Sequence, residues 1–329
     1  MMEYPINQQV HDKVADVPVE FDGNPLIWAA WLYYEEGMTQ QAIADLLHVS
    51  RTSVVKMLQA ARDEGIVSIS VAPQHLGAVR GARELKARYQ LETVIVVPDD
   101  GGVGQDYERI GRAAGRYLAS VIKPEDILGV CWGKTVLAMS ETVPEMTLPN
   151  LTIVQAAGSA MGAYESSTER CTANIAVRLH ARSVNLHAPG IVSSYALKEA
   201  LMAEKSIKEK FSLLHSCSKI VFGMADLGSQ SMAFASGYLE REDAQPYLHN
   251  GAIGMAAGRF FDASGQAVLG ELDNKMIGIT LEKLTQIPER ICIAGGKDKV
   301  AALHALLSGG NATVLVTDES TALMLLQQP

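Results

Sequence analysis

The stretch Gly37-Met-Thr-Gln-Gln-Ala-Ile-Ala-Asp-Leu-Leu-His-Val-Ser-Arg-Thr-Ser-Val-Val-Lys-Met-Leu58 decides how the chain begins. It predicts a helix, a tight turn and a second helix, the arrangement that sets a helix into the DNA major groove. Thr39 and Ser50 stand where a hydroxyl can accept an orphaned first-turn N–H, so each is placed as a helix N-cap. Ile43, Ala44 and Leu47 share one face of the first helix, and Val54, Met57 and Leu58 share one face of the second. Arg51, Thr52, Ser53 and Lys56 then fall on the opposite face, where their donors can reach phosphates and base edges, with Thr39 and Gln40 at the start of the first helix. The turn carries His48, a residue that tolerates a left-handed backbone better than most.

Outward from this head, Pro25 to Glu36 is apolar and closed by Gly37, as expected of a helix packing beneath the pair. Its aromatics Trp28, Trp31, Tyr33 and Tyr34 sit at helical spacing and are expected to serve the core rather than to stack on bases. Residues 1–24 have no clear period and are expected to form an arm. After Gly65, the alternation of Val67, Ile69 and Val71 predicts a short strand, a wing or a brace. Ala72-Pro73 is expected to break it and begin a linker, giving a head over 25–72 and a second domain over 77–329. The 329 residues agree with about two domains of roughly 150 residues each.

Composition narrows the function. A hydrophobic share of 48% is enough for packed cores. No apolar run reaches the roughly 18 residues of a membrane span, and the N-terminus has no signal-peptide core, so a cytoplasmic protein without membrane contact is expected. Cys131, Cys171, Cys217 and Cys292 lie far apart with no CxxC pair, and are expected to be reduced structural thiols. The histidines show no HxH or HExxH spacing and no GxSxG elbow occurs, so neither a metal, a cofactor nor serine-hydrolase chemistry is expected. The net charge of −9 opposes nucleic acid as partner of the whole chain, and the head itself, with three basic against five acidic residues over 24–71, carries −2. One head should bind DNA weakly; several held together would raise their effective concentration on adjacent half-sites.

From about Gly77 short β-rich runs alternate with amphipathic stretches. The expected strands are Val94–Val97, Ile127–Cys131, Leu151–Gln155, Val184–His187, Ile220–Gly223, Ile291–Ala294 and Val314–Thr317. Such alternation predicts an α/β domain, a doubly wound parallel sheet covered on both faces. Ligands in such sheets bind beyond the strand carboxyl ends. At one exit, Gly133-Lys134-Thr135 opens a helix whose N–H groups suit a phosphate, with an ordinary strand-to-helix turn as the other reading. At another, Gly295-Gly296 permits a sharp turn before Lys297 and Lys299, cations that oppose a helix N-terminus until an anion arrives. Asp318, at a third exit, reads as an N-cap. Gln155 ends a strand as either a ligand contact or a satisfied buried amide. Asp262 follows a glycine-spaced segment as either a sugar-hydroxyl partner or a turn former before Ser264-Gly265.

Taken in order, five segments resemble the SorC family of bacterial transcriptional regulators that respond to phosphorylated sugars. They are YYEEGMTQQAIADLLHVSRTSVVKMLQAARDEGIVSISV (33–71), GVCWGKTV (129–136), LHAPGIVSSYALKEAL (186–201), GAIGMAAGRFFDASG (251–265) and ICIAGGKDKVAALHALLSGGNATVLVTDESTALMLL (291–326). The resemblance implies a winged-helix-like head, an effector domain related to sugar-phosphate isomerases, and dimers or tetramers on operator DNA. By motif, Gly133, Lys134, Thr135 and Lys299 would hold the effector phosphate, and Asp262 its polar groups. The family's acidic residue after GxIG is Met255 here, and its turn glycine is His48. The function that follows is a ligand-responsive regulator of carbohydrate or polyol catabolism with no catalytic residues. Two alternatives stand beside it: a sugar-phosphate isomerase-like enzyme using Asp262 and Lys299, and an interaction module with a degenerate head.

Overall fold

The computed structural model describes residues 17–67, 73–99, 106–159, 166–228, 231–235 and 238–329. The chain divides into two compact units, Met1–Ala72 and Pro73–Pro329.

In the first unit, helix α1 (Pro25–Tyr34) begins with Pro25 at its first position and Asn24 accepting the Leu26 N–H at 2.9 Å. Helix α2 (Gln40–Leu46) is capped by Thr39, which accepts the Ala42 N–H, and helix α3 (Arg51–Asp63) by Ser50, which accepts the Ser53 N–H. His48 takes φ 53° in the turn between them, so the left-handed step survives without glycine. Leu26, Ala29, Ile43, Ala44, Leu47, Val54, Met57 and Leu58 close the core as the sequence face predicts. Trp28, Tyr33 and Tyr34 pack against this core as expected, whereas Trp31 is exposed and leans on Phe21 at a ring-centroid distance of 5.5 Å. Residues 1–16 of the arm predicted over 1–24 and most of the predicted strand, 68–71, lie outside the described residues; the arm's described end forms a short 3-10 turn, Val19–Phe21.

The second unit starts earlier than expected. Pro73 opens helix α4 (Pro73–Arg88) where a linker was predicted, because proline at a first helical position has no N–H to waste and a preset φ. Strand β1 (Thr93–Val97) follows, then α5 (Asp106–Val121), β2 (Ile127–Val130), α6 (Lys134–Thr142), β3 (Thr152–Gln155), α7 (Thr168–Arg178) and β4 (Arg182–Val184). Helices α8 (Tyr195–Ala203) and α9 (Lys205–His215) lead to β5 (Lys219–Phe222) and β6 (Met224–Asp226). After α10 (Arg241–His249), strands β7 (Ala252–Ala256) and β8 (Arg259–Asp262) form a hairpin. Strand β9 (Glu289–Ile293), α11 (Val300–Ser308), β10 (Val314–Asp318) and α12 (Glu319–Leu326) complete the chain.

Seven strands make one parallel sheet in the order β1-β10-β9-β5-β2-β3-β4. The strands β2, β5 and β9 alternate Leu128, Val130, Val221, Ile291 and Ile293 to one face with Cys131, Ile220, Phe222 and Cys292 to the other. Helices α5, α6 and α7 cover the first face, and α4, α9 and α11 contribute to the second. This is the expected doubly wound arrangement. The expected Val184–His187 strand instead spans Arg182–Val184, because it is an edge whose Arg182 and Ser183 are exposed and break the alternation. A second sheet, β6-β7-β8, is antiparallel and was not predicted. Its own core includes Tyr247, Met255 and Phe260, with the Tyr247 and Phe260 rings stacked at 4.0 Å.

At the opposite, amino-terminal edge of the main sheet, Lys219 reaches Asp126 at 2.9 Å and Glu289 at 3.6 Å, and Tyr117 donates to Glu289 at 2.8 Å. Burial alone would raise the Asp126 carboxyl, but hydrogen bonds from Ser218 and Lys219 outweigh it and hold it below the ordinary range. Its contribution to stability is therefore present above the unfolded carboxyl's value and is lost as pH falls through the lower folded one. Lys219→Ala leaves two half-desolvated carboxylates without their cation and should cost about 3 kcal/mol. Urea unfolding at neutral pH measures this, and the deficit should shrink at acid pH as the carboxylates take up protons.

Candidate functional site

Two regions carry the predicted site residues. In the head, Arg51, Thr52 and Lys56 are exposed on α3, and Ser53 is half-buried. Arg51 donates from Nη2 to Gln40 Oε1 at 3.4 Å, so the starts of α2 and α3 meet at one polar surface. Thr39 spends an acceptor on its cap, while the Ser53 hydroxyl lies 2.8 Å from that of Ser50. Ser53 is thus tied to the helix start, whereas Arg51, Thr52 and Lys56 project from it.

The second region lies where the sheet order reverses. From β2 the chain proceeds outward through β3 and β4, then returns to the other side of β2 with β5, β9 and β10. The reversal falls between β2 and β5, and a pocket of about 320 Å³ opens beyond their carboxyl ends. Gly133, Lys134 and Thr135 line it from the β2 exit, Gly223, Met224 and Ala225 from the β5 exit, and Gly295, Gly296 and Lys299 from the β9 exit. Trp132 and, from the β7–β8 hairpin, Met255, Ala257 and Gly258 form another part of its wall. The sequence reading found the first and third of these exits. It singled out the 251–265 segment without reading it as a hairpin against the pocket, and missed the β5 exit, whose lining residues carry no charge to mark them.

Backbone geometry makes the two lysine-bearing turns possible. Gly133 (φ 138°) and Gly296 (φ 114°) both adopt angles that a side chain resists. Gly133 precedes α6 with no side-chain cap, so the first-turn N–H groups of that helix face the pocket mouth without an intrahelical acceptor. Thr135 is buried at this helix start, and Lys134 is exposed beside it. On the facing loop, burial pushes the Lys299 amine below the ordinary lysine range, and Lys134 pushes the same way, while Asp226 opposes both. Two cations that disfavour one another, set at a helix N-terminus, form a site whose electrostatics improve when an anion enters.

The family model for a sugar-binding domain matches residues 75–327. The transcriptional regulator YjhU of Escherichia coli K12 is 36% identical over 312 residues, covering 93% of this chain and 95% of the relative. The chain belongs to the SorC family of sugar-binding transcriptional regulators. The deoxyribonucleoside regulator of Bacillus subtilis is 29% identical over 304 residues, covering 90% of the regulator described here and 95% of that relative. The full-length sorbitol operon regulator SorC from Klebsiella pneumoniae superposes with a TM-score of 0.73 at 25% identity, covering 92% of this regulator and 97% of the solved chain.

Two of the predicted contacts stand elsewhere in this regulator. Asp262 ends β8, opposite Ala252, at the far end of the hairpin from the pocket-lining Ala257 and Gly258. Its Oδ1 accepts from the Ser264 N–H, the Ser264 hydroxyl and the Gln266 N–H at 2.9, 2.7 and 3.0 Å. Those bonds hold the carboxyl below its ordinary range, the opposite of what a general base poised near neutrality needs. Asp262 is a turn former, and the enzyme alternative loses its base; the relatives, too, are named as regulators rather than enzymes. Gln155 is fully buried, donating to the Ala157 carbonyl and Glu169 and accepting the Leu186 N–H at 2.8 Å. It is the satisfied amide rather than a ligand contact. All four cysteines are free and buried, and burial pushes the thiols of Cys171, Cys217 and Cys292 up to about 12.

Asp318 acts at one remove. It caps α12, accepting the Thr321 N–H and, on its other oxygen, the Thr321 hydroxyl, both at 2.7 Å. Thr321 in turn accepts the Gly296 N–H at 2.8 Å. This relay pins the lysine-bearing loop to the next strand. Thr321→Val keeps the shape but leaves the Gly296 N–H and one buried carboxylate oxygen without that partner. It should cost about 1–3 kcal/mol in urea unfolding, and the result should depend little on ionic strength because the relay is buried.

Proposed function

We propose that this regulator binds a small phosphorylated carbohydrate or polyol in the switch-point pocket and that occupancy alters operator binding by α3. The observation that carries the reading is the convergence of Lys134, Lys299, the buried Thr135 and an uncapped helix N-terminus on one pocket, in a chain that also bears a helix-turn-helix head. In this reading the phosphate lies over the start of α6, with Lys299 closing from the β9 loop. The names of the relatives, a sorbitol operon regulator and a deoxyribonucleoside regulator, fit a small polyhydroxy effector. The head binds operator DNA through Arg51, Thr52 and Lys56, helped by Gln40 and Thr39, and the partner of one chain is a second copy in a dimer or tetramer. The head's net charge of −2 favours that assembly, since a single copy has little electrostatic hold on DNA. The protein works in the cytoplasm, in keeping with four free thiols; among the described residues no helix is long and apolar enough to cross a membrane.

A thermal-shift screen of phosphorylated and free sugars and polyols tests the effector, because a ligand that binds only the folded state raises the melting temperature by mass action. Phosphorylated compounds should stabilise the protein and their free counterparts should not; equal shifts for both would refute the phosphate site. Lys299→Met and Thr135→Val should each weaken the best hit by roughly tenfold or more while leaving unfolding in the absence of ligand little changed. Binding to Lys299 should also weaken as pH rises into the alkaline range, because the amine that the anion needs charged has a depressed pKa.

Operator binding has a separate test. Combined Arg51→Ala and Lys56→Ala should abolish a sequence-selective gel shift at moderate salt while ligand-induced stabilisation persists. Each lost phosphate contact should reduce the slope of log affinity against log salt by about 0.9. Unchanged DNA binding by the double variant would favour the interaction module.

A further inference from the structure

The polar groups of the pocket are gathered on one side. Lys134, Thr135 and Lys299 stand at the β2 and β9 exits, with the first turn of α6 between them. Away from them, and from Tyr107 beside Asp106, the wall is largely apolar: Met224, Ala225, Met255, Ala257 and Ile293, with the Trp132 indole next to them. Met255 sits in the middle strand of the small sheet, paired with Ala225 on one side and Phe260 on the other, and is 2% exposed. Its neighbours in space include the apolar cluster of Tyr238, Tyr247, Phe260 and Met276. The Trp132 ring leans on Tyr238 at 5.0 Å, which fixes the aromatic part of the same wall. Among the described lining residues Asp106 is the sole carboxylate, and Arg109 already engages it at 3.0 Å.

A ligand hydroxyl pressed against such a wall gives up its water without gaining a side-chain partner, a cost that buried polar groups avoid. A methyl or methylene at the same place gains contact with Met255 and Trp132 instead. We infer that the effector is amphiphilic: a phosphorylated deoxy compound whose deoxygenated carbon faces Met255, with Met255 setting the preference over the fully hydroxylated parent. The inference rests on the phosphate reading above and adds what the other end of the ligand must look like.

Matched pairs of compounds test it on the full-length protein. Titration calorimetry would compare 2-deoxyribose 5-phosphate with ribose 5-phosphate, and a 6-deoxyhexulose 1-phosphate with fructose 1-phosphate. The deoxy member of at least one pair should bind about tenfold tighter or better, the scale set by one unpaired hydroxyl. Met255→Gln should bring the two members of that pair to within about twofold by giving the hydroxyl a partner, and Met255→Leu, apolar and close in volume, should retain the preference. If Met255→Gln does not fold, the wild-type pairs and Met255→Leu still decide. Tighter binding of the hydroxylated members, or an unchanged ratio in a folded Met255→Gln, overturns the inference and leaves the phosphate site standing. Failure of every phosphorylated compound to bind overturns both.

Discussion

Parallel pairing of β2 with β5 is the contact on which the pocket depends. Leu128 aligns with Lys219, and Val130 with Val221, so the two strands end together and their following loops leave from the same edge. Because every neighbouring pair in the main sheet is parallel, all the exits fall on that edge. Because the chain order reverses at β2 and β5, their loops diverge and leave a crevice that no helix fills. Gly133 and Gly296 then let the backbone turn tightly enough for Lys134 and Lys299 to stand on two sides of it. The lysines would be unremarkable surface charges on any other edge of the same sheet.

The supports of this edge differ from those of the opposite one. At the amino-terminal edge, Lys219 is satisfied by Asp126 and Glu289, a closed set of charges. At the carboxyl edge the buried carboxylate of Asp318 is satisfied by hydrogen bonds from Thr321 and the Ser320 hydroxyl rather than by an ion pair with Lys299. It fixes the loop without quenching the charge that the loop presents. A salt bridge in the same place would hold the loop as well and would compete with any anionic ligand. The relay through Thr321 keeps position and charge separate.

Much of this was legible in the sequence, and the failures have physical causes. Caps at Thr39, Ser50 and Asp318 were readable because a short polar side chain just before an apolar period has few other uses. The seven parallel strands were readable because strands buried on both faces are written as apolar runs. The hairpin of β7 and β8 was not, because Ala252-Ile-Gly-Met-Ala256 owes its small residues to packing rather than to β propensity: a Cβ on Gly254 would stand 2.4 Å from the Phe261 ring. Pro73 was taken as a breaker although proline at a helix start is favourable, a choice that only the following pattern can settle. For Asp262 and Gln155 the residue type was compatible with either role, and the deciding fact, where their hydrogen bonds go, is tertiary.

For the proposed effector to carry a signal, its affinity must differ between two arrangements of the protein. A ligand shifts an equilibrium between two arrangements only by its difference in affinity for them, about 1.4 kcal/mol for each factor of ten. Burial pushes the Lys299 amine below the ordinary lysine range, Asp226 opposes that shift, and Lys134 adds to it more weakly. In the proposed reading a phosphate would gain from both lysines and from the α6 N-terminus at once. In the proposed switch the buried Asp318–Thr321 relay would hold the Lys299 loop in place for the anion.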